Sequence, residues 1–190
     1  MSPKISLKIA PKHTKDKSNS FTRLDVNNVY GLERLASDDA LEGGVSLTFG
    51  NEFKKINKKD YRENLVLKFA NNIRLDENED LPKNNQMGLK TSNLFGEILF
   101  NPNEFISTEY KFSTKNNIDD FTYESINASF NLSKFKTSFD YINENDKKDK
   151  VSYLLSEIKL NLNENNNLSF STRENKEKEL TEYYNLMYQY

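Results

Sequence analysis

Segments of about ten residues in which apolar and polar side chains alternate recur along this chain, and they restrict its fold more than any other feature. The stretch Lys134–Ile142, KFKTSFDYI, shows the pattern. Phe135, Thr137, Phe139 and Tyr141 share one parity, and Lys134, Lys136, Ser138 and Asp140 share the other. A period of two is the mark of a β-strand with two unlike faces. What the aromatic face looks at, a protein core or lipid, decides the function.

The same reading places strands near 4–10, 44–53, 62–74, 93–100, 105–114, 120–130, 134–143, 151–161, 167–173 and 180–190. Val151, Tyr153 and Leu155 sit on the opposite parity to Ile158, so a bulge is expected within that strand. The breaks between strands alternate in kind. Asn101-Pro102-Asn103-Glu104, Asn131-Leu132-Ser133 and residues 163–166 are short and Asn-rich, as hairpin turns require. Between them lie charged connections at 115–120, 144–150 and 173–179, and a longer one at 76–92. The break KKINKKDY at 54–61 fits least well, because its parity demands a short turn. The stretch 11–42 is irregular and reads as loop. Short turns at one end and long connections at the other make an all-β, antiparallel up-and-down meander, and transmembrane β-barrels share that rhythm.

Composition agrees. A mean hydropathy of -0.84 alone points to a chain too polar to fold. Yet 13 Phe and 10 Tyr are present, which suits strands with one wet face and one apolar face. The net charge of -2 gives no field that gathers nucleic acid, so no nucleic-acid partner is expected. There is no cysteine, hence no thiol nucleophile and no sulfur metal site. No apolar run reaches the length of a transmembrane helix. The opening MSPKISLKIAPKHTKDK has no apolar core and no small-residue cleavage site, so it does not read as a signal peptide.

Lipid is favoured over a soluble sandwich for the aromatic face. Ten-residue strands match a tilted bilayer crossing, whereas ordinary strands are about half that length. A Lys facing the bilayer midplane costs roughly 2–4 kcal/mol. The parity keeps Lys134, Lys136 and Asp140 together on the other face. Phe135, Phe139, Tyr141, Tyr184, Leu186 and Tyr188 are therefore the predicted lipid-facing residues.

Residues 24–50, LDVNNVYGLERLASDDALEGGVSLTFG, sharpen this reading. They resemble a segment of the outer-membrane lipopolysaccharide-assembly family, N-[LV]-[FY]-x-x-x-R-[FL]-x-G-x-D-R-[IL]-E followed by a strand. Asn28, Val29, Tyr30, Arg34, Leu35, Asp39, Leu41 and Glu42 match, while Ser37 and Ala40 replace the family's Gly and Arg. Residues 73–96 resemble a second family stretch through Arg74, Leu75, Pro82, Gly88, Leu89, Ser92 and Gly96, with Asn93 replacing Asp. The resemblance implies that residues 1–190 are a fragment of a single barrel domain, without the family's signal peptide and periplasmic jelly-roll domain. About ten or eleven strands of a closure that takes about 26 would then be present. It also implies a Gram-negative outer-membrane location and three partners besides membrane lipid: lipopolysaccharide, an outer-membrane lipoprotein plug and a periplasmic lipopolysaccharide-bridge protein. Other barrels, such as a porin or passive channel, and a soluble β-rich binding or adhesion domain are the alternatives.

No enzyme is expected. His13 is the only histidine and lies in a polar stretch, with nothing to orient it in a triad. The acidic run 76–80, DENED, lacks the spacing of a calcium loop. Gly43-Gly44 precedes a strand, which excludes a phosphate-binding loop. Neither metal nor cofactor is expected. The motif loop residues Asn28, Tyr30, Arg34, Asp39, Glu42, Arg74, Pro82 and Gly88 carry a structural role or a lipopolysaccharide contact. Arg34, Asp39 and Glu42 are expected to form an ion-paired loop, with Arg34 and a phosphate as the functional alternative.

Overall fold

A computed structural model describes every residue except Ala36, Asp38, Asn117, Asp119, residues 146–149 and Glu164. Parts of the expected connections 115–120, 144–150 and 163–166 therefore lie outside the described residues.

Ten strands follow one another: β1 (Ser2–Ala10), β2 (Gly44–Ile56), β3 (Glu63–Arg74), β4 (Leu94–Phe100), β5 (Ile106–Thr114), β6 (Phe121–Leu132), β7 (Phe135–Glu144), β8 (Val151–Asn161), β9 (Asn167–Asn175) and β10 (Leu180–Gln189). All pair antiparallel in one sheet whose spatial order is the sequence order. The fold is thus an all-β up-and-down meander. β1 and β10 each pair on one side only, and no ladder joins them among the described residues.

Directly opposed residues in an antiparallel ladder share a face, so the alternation within one strand propagates across the sheet. One row runs Leu67, Ile98, Tyr110, Ile126, Tyr141 and Leu154. Another runs Ile106, Phe130, Thr137, Ile158, Phe170 and Leu186. These rows form the apolar face. The polar face carries rows such as Lys8, Ser46 and Arg74, and Lys68, Glu97, Lys111 and Ser125.

The core lies on the polar face. Leu24, Val26, Val29, Leu35 and Ala40, with Leu81 and Met87, pack onto Ala70 of β3 and Phe95 of β4. Burying such side chains contributes about 1.5–3 kcal/mol each. Residues 11–43 and 75–93 therefore form a cap over the polar face, at the end with the long connections. They are irregular loops, as expected, and they bury an apolar set against the sheet. The Asn85 Nδ2 donates to Thr22 O at 2.6 Å and stitches the two halves of the cap together.

Two expectations about strand regularity need correction. No bulge interrupts β8, whose register is continuous against both β7 and β9. Val151, Tyr153 and Leu155 instead point to the polar face, where the Arg173 guanidinium stacks on the Tyr153 ring at 4.5 Å. That stack gives an aromatic ring a polar neighbour without any change of parity. Register shifts occur elsewhere, at Lys55/Ile56, Ser113/Thr114 and Thr181/Tyr183. The difficult 54–61 break resolves into a longer β2 and a turn closed by Asn57 N–H donating to Arg62 O at 2.8 Å.

Candidate functional site

Two surfaces carry chemistry: the apolar face and the junction of cap and wall. On the apolar face, Phe139 is 40% exposed, Tyr184 71%, Leu186 69% and Tyr188 59%, and Phe135 and Tyr141 are partly exposed. Ile5, Leu7, Ile9, Phe49, Phe69, Phe130 and Phe170 join them as exposed apolar side chains. All six residues predicted to face lipid lie on this one face. Nothing in the described chain covers it. An apolar surface crossing ten strands is far larger than a soluble monomer ordinarily exposes.

The rows pack within themselves where the sequence allows it. Gly96 on the apolar face has no Cβ, and the Phe112 ring fills the vacancy; a Cβ there would meet its Cε1 at 2.2 Å. Phe112 thereby reaches across β4 toward Phe69, with ring centroids 6.3 Å apart. This is how an aromatic neighbour compensates a strand glycine.

At the cap–wall junction, Glu42 sits at the end of the cap and is 3% exposed. Arg34 Nε donates to its Oε2 at 2.8 Å, and Arg34 Nη2 donates to Oε1 and, at 3.0 Å, to Ser46 Oγ. Arg74 of β3 donates to the same carboxylate through Nη1 and to Gly43 O through Nη2. Lys8 Nζ of β1 reaches Glu42 Oε2 at 3.0 Å. One carboxylate thus ties the cap to β1 and β3, and the Arg34 it holds ties the cap to β2. Burial pushes the Glu42 carboxyl up, but the Arg34 hydrogen bonds and charge, with Lys8, outweigh it and hold the group below its ordinary 4.5.

The structure brings Arg34, Glu42 and Arg74 together here and sets the other motif residues elsewhere. Arg34 is 4% exposed, its guanidinium satisfied within the chain, so it presents nothing to a phosphate in solution. Asp39 leaves the expected ion-paired loop: it is exposed and bonds Lys17 at 2.7 Å and Lys15 at 3.4 Å. The hydrogen bonds from Lys17 and Ser37 hold the Asp39 carboxyl well below its ordinary range. Asn28 closes a turn by accepting from Asp25 N at 2.9 Å and donating to Arg23 O at 3.0 Å. Tyr30 lies against Gly50 of β2, where a Cβ would stand 2.1 Å from its hydroxyl. Pro82 is fully buried, and Gly88 lets the Asn78 carbonyl approach where a Cβ would stand 2.3 Å from its oxygen. His13 and the acidic residues of 76–80 are exposed at the cap surface.

Sequence reasoning missed several members of the junction. Lys8, Ser46 and Thr48 alternate onto the polar face like any wetted residue, and only the cap makes them buried or part-buried contacts. Lys68, Glu97 and Asn27 form a second tie. Lys68 Nζ bonds Glu97 Oε1 at 2.6 Å, and Asn27 Nδ2 donates to Glu97 Oε2 at 3.0 Å. The signal available was parity: three polar-face charges stand opposite a segment rich in Asp, Asn and Arg.

No protein-family model matches the chain, and no curated protein matches it.

Proposed function

We propose that this chain is part of the wall of an outer-membrane β-barrel that assembles lipopolysaccharide into the outer leaflet. One observation carries the membrane part. The apolar face is uncovered while the hydrophobic core lies behind the opposite, polar face. A soluble sandwich needs the reverse, because its aromatic face is the one it buries. Ten strands with one apolar and one polar face suit a wall between hydrocarbon and water.

The lipopolysaccharide part rests on the resemblance of residues 24–50 and 73–96, and gains support from where those residues lie. Tyr30, Arg34, Glu42, Arg74, Pro82, Gly88 and Gly96 occupy positions of close packing or buried charge, where residue type is constrained by geometry. In this reading the segment performs no catalysis. Its outer side chains meet lipid, its inner face bounds an aqueous lumen narrowed by the cap, and lipopolysaccharide passes through the complete barrel with the lipoprotein plug and periplasmic bridge as partners.

Depletion of the full-length protein in cells tests the function. Newly made lipopolysaccharide should cease to reach the outer leaflet, while uptake of small hydrophilic solutes stays unchanged. Loss of solute uptake with normal lipopolysaccharide delivery would establish a porin instead.

A further inference from the structure

The cap reaches much farther across the sheet than its own connections require. Residues 11–43 link β1 to β2, two adjacent strands. Yet Arg23, near the middle of that link, donates from Nη2 to Glu144 Oε1 at 2.8 Å, and Glu144 ends β7 with its side chain 3% exposed. The same guanidinium stacks over the Tyr123 ring of β6 at 4.7 Å. Between these ends the segment touches the polar face at each step: Glu42 at Lys8 of β1 and Arg74 of β3, Arg34 at Ser46 of β2, Tyr30 over Gly50 of β2, and Asn27 at Lys68 of β3 and Glu97 of β4. Every one of these contacts lies on one face of the sheet.

We infer that the cap is an internal brace that ties β1–β4 to β6 and β7 across the polar face and so fixes the curvature of the sheet while its edges are still unpaired. The physical reason is that a sheet's hydrogen bonds join only neighbouring strands. Each ladder tolerates a range of twist and bend, and over many strands those freedoms accumulate. A closed barrel removes them by joining its first and last strands. An open sheet has no such restraint, and a chord bonded to strands six places apart supplies one. The Glu42 cluster is the near anchor, buried and polyvalent. The Arg23–Glu144–Tyr123 contact is the far anchor, a charge-assisted hydrogen bond with a cation–π stack. The consequence for a barrel is that a wall already curved brings its edges toward closure, with its polar side inward. The brace acts whether the apolar face meets lipid or protein, so its test stands apart from that of the membrane reading.

The distance between strands is the readout. Nitroxide labels at Lys4→Cys on β1 and Lys136→Cys on β7 sit on the polar face, and the register sets Lys136 eight residues along β7 from Glu144, the residue in line with Lys4. In a flat sheet the two strands stand roughly 29 Å apart, six spacings of about 4.8 Å, and the offset of eight residues adds roughly 26 Å along the strand, so the labels would stand roughly 39 Å apart. Electron–electron resonance on the 190-residue chain in detergent micelles should give a narrow distribution below that limit. Arg23→Glu should shift it toward the flat limit and broaden it, and the swap Arg23→Glu with Glu144→Arg should restore it. Arg23→Gln, which keeps length and loses charge, carries the test if Arg23→Glu does not fold. A distribution unchanged by Arg23→Gln or Arg23→Glu, or one that the swap fails to restore, overturns the brace.

Discussion

Replacing Glu42 by Gln keeps the side-chain shape and removes the one negative charge among Lys8, Arg34 and Arg74. Three cations face one carboxylate in the native cluster, and the side chains of Glu42, Arg34 and Arg74 are 1%, 2% and 2% exposed. Without the carboxylate, two guanidiniums remain buried with no counter-charge. Breaking a buried pair by removing one partner costs about 3–5 kcal/mol. The cost falls on the cap, because the strands retain their ladders. Cleavage by trypsin after Arg34, which is buried, needs the cap to open locally, and its rate follows the population of that open state. Since each 1.4 kcal/mol is a factor of ten, Glu42→Gln should speed this cut by on the order of 100-fold or more. Lys8→Met should do the opposite of what a simple pair count suggests. It relieves an excess positive charge and leaves both guanidiniums on Glu42, so cleavage should stay near the parent rate. The sign with pH follows from the depressed Glu42 carboxyl. Its contribution is full above the ordinary 4.5 and is lost as pH falls below that value through the folded-state one. Opening of the cap at Arg34, followed in acid by amide hydrogen exchange because trypsin is inactive there, should therefore rise in the parent and not in Glu42→Gln. An increase of less than about threefold for Glu42→Gln, well under the tenfold that 1.4 kcal/mol gives, would refute the reasoning.

Gly50→Ala should destabilise the chain by roughly 3 kcal/mol in urea unfolding, since the new Cβ meets Tyr30 and the β3 backbone together. A midpoint equal to the parent's would show that the two strands separate at no cost. In lipid, Phe139→Lys should cost roughly 2–4 kcal/mol and Ser138→Lys close to nothing, and equal costs would place both positions in one environment. The 190-residue chain alone should not insert stably into vesicles, because the open edges of β1 and β10 leave backbone groups without partners in hydrocarbon. Recovery of a heat-modifiable, protease-resistant barrel from these residues would contradict that.

The strands were legible because each carries its own period and its own turn. Phe135–Glu144, for example, begins after Asn131-Leu132-Ser133 and ends where the charged connection begins. Parity fixed the faces for the same reason, since hydrogen bonding transmits it unchanged from strand to strand. The expected bulge in β8 failed because Tyr153 and Leu155 looked misplaced on a polar face, and Arg173, twenty residues on, was invisible as their neighbour. The cap was legible only as motif. Its residues have no period, and their meaning lies in contacts across wide sequence gaps, such as Arg23 with Glu144. Arg34 shows the limit best. Next to Asp39 and Glu42 in sequence it pairs with one and not the other, because Glu42 is carried inward by the start of β2 while Asp39 stays at the surface.

The most direct test is spin-label accessibility along Lys134–Ile142 in the full-length protein reconstituted in lipid. A lipid-soluble quencher should reach positions 135, 137, 139 and 141, while 134, 136, 138 and 140 should respond only to a water-soluble one. Aromatic positions shielded from both quenchers would mean a protein partner covers that face, and the membrane-wall account would fall.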